Sequence, residues 1–100
     1  MPYEIVVHEL AATELEALRA TDQRRILAEI RAHLTDQPAE PTRKRKCLID
    51  LTPSFEHAEP VWELRVGEYR VFYDVDEETE RVTVHAIRHK PPHKTTEEIL

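Results

Sequence analysis

A single cysteine, Cys47, rules out an internal disulfide and suits a reducing, cytoplasmic compartment. It reads most simply as a small hydrophobe at the start of a strand. With no second thiol and no short-range metal-ligand spacing, no metal centre is expected, and nothing in the pattern asks for another cofactor. Apolar residues never run long enough to span a bilayer, and the N-terminal MPYEIVVHEL lacks the basic and apolar regions of a signal peptide. No membrane association is expected. Positive charge is also in deficit: the net charge of -6 argues against binding nucleic acid by bulk charge.

What is present points to one domain over residues 1–100, with a modest core. Val61–Val66 and Tyr69–Val75 are rich in β-branched and aromatic residues, and Gly67-Glu68 sits between them. A two-residue loop with glycine first suits a type II′ hairpin turn. Counting outward, Val66 faces Tyr69, Arg65 faces Arg70, Leu64 faces Val71, Glu63 faces Phe72 and Trp62 faces Tyr73. Trp62, Leu64, Val66, Tyr69, Val71, Tyr73 and Val75 then share an apolar core face. Arg65 and Arg70 lie directly opposite each other on the second face. Like charges so placed repel, so the pair either is neutralised by carboxylates or holds an anion.

Around the hairpin, Tyr3–His8 alternates as a strand. Glu9 to Ala20 is rich in helix formers, with Leu15 and Leu18 on one face. Thr21-Asp22 offers the N-cap of a second helix, whose buried stripe is Ile26, Leu27, Ile30 and Leu34 and which should end near Asp36, before Pro38 and Pro41. A strand is expected over Cys47 to Leu51 and a loop over Thr52–Pro60. Val82–His89 alternates as the last strand, with Val82, Val84 and Ala86 inward and Thr83, His85, Ile87 and His89 outward. Pro91-Pro92 ends it, and Thr95 with Glu98 has the spacing of a capping box. The order β-α-α-β-β-β-β, with a possible short C-terminal helix, is an α+β domain in which a helical hairpin packs on one face of a mostly antiparallel sheet.

On the face left open, strand parity gathers Glu63, Arg65, Arg70, His85 and His89, with Lys90 and His93 just beyond. Guanidinium groups give forked donors to phosphate oxygens, and a histidine can move a proton near neutral pH. Cleaving RNA needs a base for the 2′-OH, an acid for the 5′-oxygen and cations for the charge on phosphorus, and no metal. The bland alternative is that Arg65 and Arg70 form surface salt bridges with Glu63, Glu68 or Asp74, worth ~0–1 kcal/mol each. The run Arg43-Lys44-Arg45-Lys46 is either a solvated loop or, with Arg88 and Lys90, the rim of a polyanion groove.

The segment LRVGEYRVFYDV and the closing VHAIRHKPPH, in this element order, resemble the RelE/ParE superfamily of bacterial type II toxins over nearly the whole chain. The resemblance implies a toxin held silent by a cognate antitoxin. A RelE-like member would act on the ribosome as a metal-independent endoribonuclease that cuts mRNA and stops translation. A ParE-like member would inhibit DNA gyrase without hydrolytic chemistry, and a non-toxic, partner-binding member is a third possibility. Position by position, Arg70 falls where RelE-like nucleases carry a phosphate-stabilising arginine, and Arg65 becomes a supporting cation. Val61 and Glu63 stand where the best-known RelE-type site carries lysines. Near the C-terminus, Pro91-Pro92-His93 replaces an arginine and a tyrosine. The resemblance leaves His89 or His93 for proton transfer and Glu63 as a base.

Overall fold

The computed structural model describes residues 2–100 and orders the chain as β1 (Glu4–Val7), α1 (Glu9–Glu16), α2 (Ala20–Leu34), β2 (Arg45–Cys47), β3 (Trp62–Val66), β4 (Tyr69–Asp76), β5 (Arg81–His89) and α3 (Thr96–Ile99). The strands form one sheet in the order β1-β5-β4-β3-β2. β1 runs parallel to β5 and every other pairing is antiparallel. This is the expected α+β arrangement. No helix among the described residues is long and apolar enough to cross a membrane.

Period-two alternation drives the hairpin into the register counted from its turn, and Arg65 lies opposite Arg70. Gly67 has φ of +58° and is the one turn residue in the left-handed region, as a type II′ turn requires. Trp62, Leu64, Val66, Val71 and Tyr73 meet Ala11 and Leu15 of α1 and Ile26, Ile30 and Leu34 of α2 in the main core. The Tyr73 hydroxyl, buried there, donates to the carbonyl of Pro38 at 2.7 Å, which satisfies a polar group that would otherwise be costly to seal.

The helices begin and end differently from expectation. α1 stops at Glu16, and α2 starts at Ala20 with Arg19 as its N-cap rather than Thr21 or Asp22. Asp22 is recruited elsewhere: its carboxylate accepts from the Tyr69 hydroxyl at 3.2 Å and pairs with Arg19 at 3.4 Å. The tight connection is bridged by Gln23, whose amide donates to Leu18 O at 2.7 Å. β2 also lies earlier than expected, so Cys47 ends it rather than starting it. Leu48 makes one more contact with the sheet, its N–H to Val61 O at 2.8 Å, and its side chain then turns into a second core.

That second core corrects the picture of an open face. Leu48, Phe55, Val61, Phe72, Ala86 and Ile99 are buried together there, with Leu51 and Leu100 packed around them. The irregular segment 48–60 and α3 therefore cover much of the sheet's far side. Ile99 is the α3 side chain buried in this cluster, and burying such a side chain completely is worth roughly 1.5–3 kcal/mol.

A β-bulge corrects the parity of the last strand. Phe72 pairs with Ala86 but Tyr73 pairs with Val84, leaving His85 as the extra residue. Beyond it the alternation inverts. Ala86 joins Phe72 in the second core and Ile87 turns to the helices. Arg88 takes the place opposite Arg70, and His89 stands opposite Tyr69 on the helix side. His89 therefore does not share the face of Arg65 and Arg70.

Candidate functional site

Beside the hairpin turn, the β2 strand with its preceding loop, β3, β4 and the C-terminal tail enclose a groove of about 230 Å³ lined by Thr42–Lys46, Glu63, Arg65, Arg70, Lys90 and Thr96. At its floor are Glu63 and Arg70, only 4% and 8% exposed. The Arg70 Nε lies 3.3 Å from Glu63 Oε1, and its Nη1 donates to the carbonyls of Gly67 and Tyr69, both at 2.8 Å. Three contacts thus lock the guanidinium plane. Its Nη2 has no protein partner among the described residues and is not a sealed atom, so its donors remain available in the groove that Arg70 lines. Burial pulls the Arg70 pKa below its ordinary value, Glu63 opposes that shift and Arg65 adds to it. An arginine remains charged nonetheless.

Glu63 is shared. Its second oxygen accepts from the Thr96 hydroxyl at 2.8 Å. Thr96, buried at the start of α3, was missed in the sequence; the capping box of Thr95 and Glu98 announced the helix but not the partner of its next residue. Lys46 faces Glu63 across β2 and β3 and is exposed.

The salt bridges that would have made Arg65 an ordinary surface arginine are not formed. Glu63 is taken by Arg70, Glu68 by His89 at 3.1 Å and Asp74 by His85 at 2.6 Å. Arg65, Arg43, Lys46 and Lys90 have no side-chain ion pair among the described residues. They project into or rim one groove.

The other cations expected here are committed elsewhere. Arg45 pairs opposite Leu64, so its side chain turns toward the helices. It is buried, donating from Nε to Glu40 O at 3.0 Å and from Nη1 to His33 O. It thereby satisfies a carbonyl near the C-terminus of α2, where the last four have no partner within the helix. Lys44 reaches Glu29 at 3.5 Å. Arg88 lies outside the groove. Its guanidinium sits over Phe55 at 5.5 Å, donates to Ile99 O at 3.3 Å, and approaches Glu14 at 2.9 Å without hydrogen-bond alignment. Glu14 also accepts the Ile87 N–H at 2.9 Å, capping β5 where β1 has ended.

The histidines are not gathered at the groove. His85 is buried at the bulge with Nε2 on Asp74, which also accepts the Ala58 N–H at 2.8 Å. His89 lies against the Tyr69 ring at 5.4 Å. His93 is exposed on the tail. The site is therefore a cleft with fixed and free cations around one buried carboxylate.

The family model described as the ParE toxin of the type II toxin–antitoxin system parDE matches residues 5–90. An archaeal RelE–RelB complex from Pyrococcus horikoshii OT3 contains a similar chain, with 24% identity, coverage of 95% of this chain and 100% of that one, and a TM-score of 0.68. The toxin–antitoxin complex RelBE2 from Mycobacterium tuberculosis contains another, with 23% identity, coverage of 90% and 100%, and a TM-score of 0.66. At these identities the structural likeness concerns the fold. No curated protein matches the chain.

Proposed function

The chain belongs to the ParE toxin family of type II toxin–antitoxin systems, within the RelE/ParE superfamily, and from that premise we propose that it is a RelE-like endoribonuclease that cuts mRNA on the ribosome and so inhibits translation. One observation carries this reading: Lys46, Arg65, Lys90 and the free edge of Arg70 converge on one groove, around a buried carboxylate. Forked and point cations of this kind suit a phosphodiester.

In this reading Glu63 takes the proton of the ribose 2′-OH. The 2′-oxygen bonds to phosphorus, the bond from phosphorus to the 5′-oxygen breaks, and a 2′,3′-cyclic phosphate results. Arg70 and Arg65 stabilise the added charge on phosphorus. The departing 5′-oxygen takes its proton from His93 or from water; His89, turned to Tyr69, is not used. Arg43, Lys46 and Lys90 hold the flanking phosphates. A cognate antitoxin is the protein partner of this reading, one that sets acidic side chains against the same cations and apolar ones on the helical hairpin or a sheet edge.

A second reading has its own support. Glu63 neutralises Arg70, and no histidine lines the groove, which suits a ParE-like inhibitor of DNA gyrase that works through a protein interface. A translation extract with a defined mRNA and primer-extension mapping separates the two. Codon-phased cuts that need ribosomes and vanish in Arg70→Ala are expected. Intact mRNA in the presence of folded toxin, with gyrase supercoiling inhibited, would transfer the assignment to the second reading.

A further inference from the structure

Thr96 has no part in the function as argued so far, yet its hydroxyl is buried and makes one side-chain contact, to Glu63 Oε2 at 2.8 Å. The other oxygen forms an ion pair with Arg70 Nε at 3.3 Å. A glutamate side chain has three rotatable bonds, and a carboxylate hydrogen-bonded at one oxygen and ion-paired at the other is confined in its orientation. Each carboxylate oxygen has two lone-pair sites, so these two contacts leave acceptor capacity facing a groove that Glu63 itself lines. Within this groove the cations read phosphate and are indifferent to the sugar. Glu63 is the one anionic acceptor in the lining, and it suits a hydroxyl donor.

We infer that Thr96 is a positioning residue: from α3 it holds the Glu63 carboxylate in place to accept a ribose 2′-OH, so that the groove distinguishes RNA from DNA before any bond is cut. This rests on the nucleic-acid reading of the groove but not on cleavage. The second core supplies the mechanical backing. Ile99 is buried in it and Arg88 holds the Ile99 carbonyl, so α3 presents Thr96 from a fixed base.

The test measures binding of a fluorescein-labelled triribonucleotide and its 2′-deoxy counterpart to the full chain at low ionic strength. The wild type should prefer the ribose form by about tenfold, the low end for a hydrogen bond to a charged group. Thr96→Val keeps the branched shape and removes the donor; it should lose the preference while binding the deoxy probe within about twofold of wild type. Thr96→Ser should restore the preference, which a merely structural role would not require. Thermal unfolding confirms that each variant is folded; should Thr96→Val fail to fold, a serine variant without the preference overturns the inference. A preference that survives in folded Thr96→Val overturns it, as does a wild type that binds both probes equally, which leaves the phosphate-binding groove standing. A wild type that binds neither probe removes groove and inference together. A Thr96-dependent preference without ribosome-dependent cuts sustains the inference and removes the nuclease.

Discussion

Removing Arg65 should change how salt weakens RNA binding, whereas removing Arg45, its neighbour in the basic lining, should not. A protein that neutralises Z phosphates of a single strand loses affinity with a slope of roughly -0.7Z in log–log plots against salt. Arg70 is offset by Glu63, which leaves Arg43, Lys46, Arg65 and Lys90 as the uncompensated cations of the groove. Counting four phosphates, the slope is about -2.8, or roughly a 50-fold loss of affinity between about 50 and 200 mM salt. Arg65→Ala should bring the slope to about -2.1 and the loss to roughly 20-fold. Glu63→Gln releases Arg70 and should steepen the slope to about -3.5. Arg45→Ala should leave the slope unchanged and instead cost about 1–3 kcal/mol of stability, because it orphans the carbonyls of His33 and Glu40. Fluorescence anisotropy with a short RNA, titrated at several salt concentrations, reads all four slopes. An Arg45→Ala slope shallower than that of Arg65→Ala would refute the division of this basic run into structural and binding members.

Two further outcomes follow from the fold. Glu14→Ala removes the acceptor of the Ile87 N–H and the counter-charge of Arg88 at the bare edge of β5; chemical denaturation should show a loss of about 1–3 kcal/mol, and an unchanged midpoint would mean that water replaces the cap. Glu98 is held below its ordinary pKa by its bond to the Thr95 backbone N–H, then by the Thr95 hydroxyl. A depressed folded pKa contributes stability that is present above the unfolded value and lost as pH falls through the folded one. The protection of the α3 amides, taken relative to their intrinsic exchange rates at each pH, should therefore fall on acidification below the ordinary carboxylate range, and Glu98→Gln should abolish that pH dependence; an acid-insensitive wild-type helix would contradict the capping box.

Local pattern was sufficient for the hairpin, and through it for the family. Alternation with period two and a lone glycine at the turn leave one register, since a slip by one residue would move Trp62, Leu64, Val71 and Tyr73 off the helix-facing core and carry Glu63, Arg65 and Arg70 into it. The same logic placed Arg65 opposite Arg70. The capping box was equally legible, being written within four residues. Parity failed at His85 because a bulge adds one residue without altering the composition around it; Val82 to His89 alternates as plausibly in either sense. The insertion shifts the register by one, so that Ile87 is buried on the helix side, away from Phe72, and Arg88 rather than Ile87 stands opposite Arg70.

Four consecutive basic residues also look alike in the chain. Arg45 differs from Arg43 and Lys46 because β2 pairs in a register that turns it toward the open carbonyls ending α2. Glu63 and Thr96 lie 33 positions apart, and no spacing rule joins them. The residues that touch in sequence thus carried the fold and the arginine pair. The groove's electrostatics, in which one arginine is locked, one is free and a carboxylate is held from the C-terminal helix, arose only when distant segments were packed, because burial and pairing depend on neighbours that the local pattern does not contain.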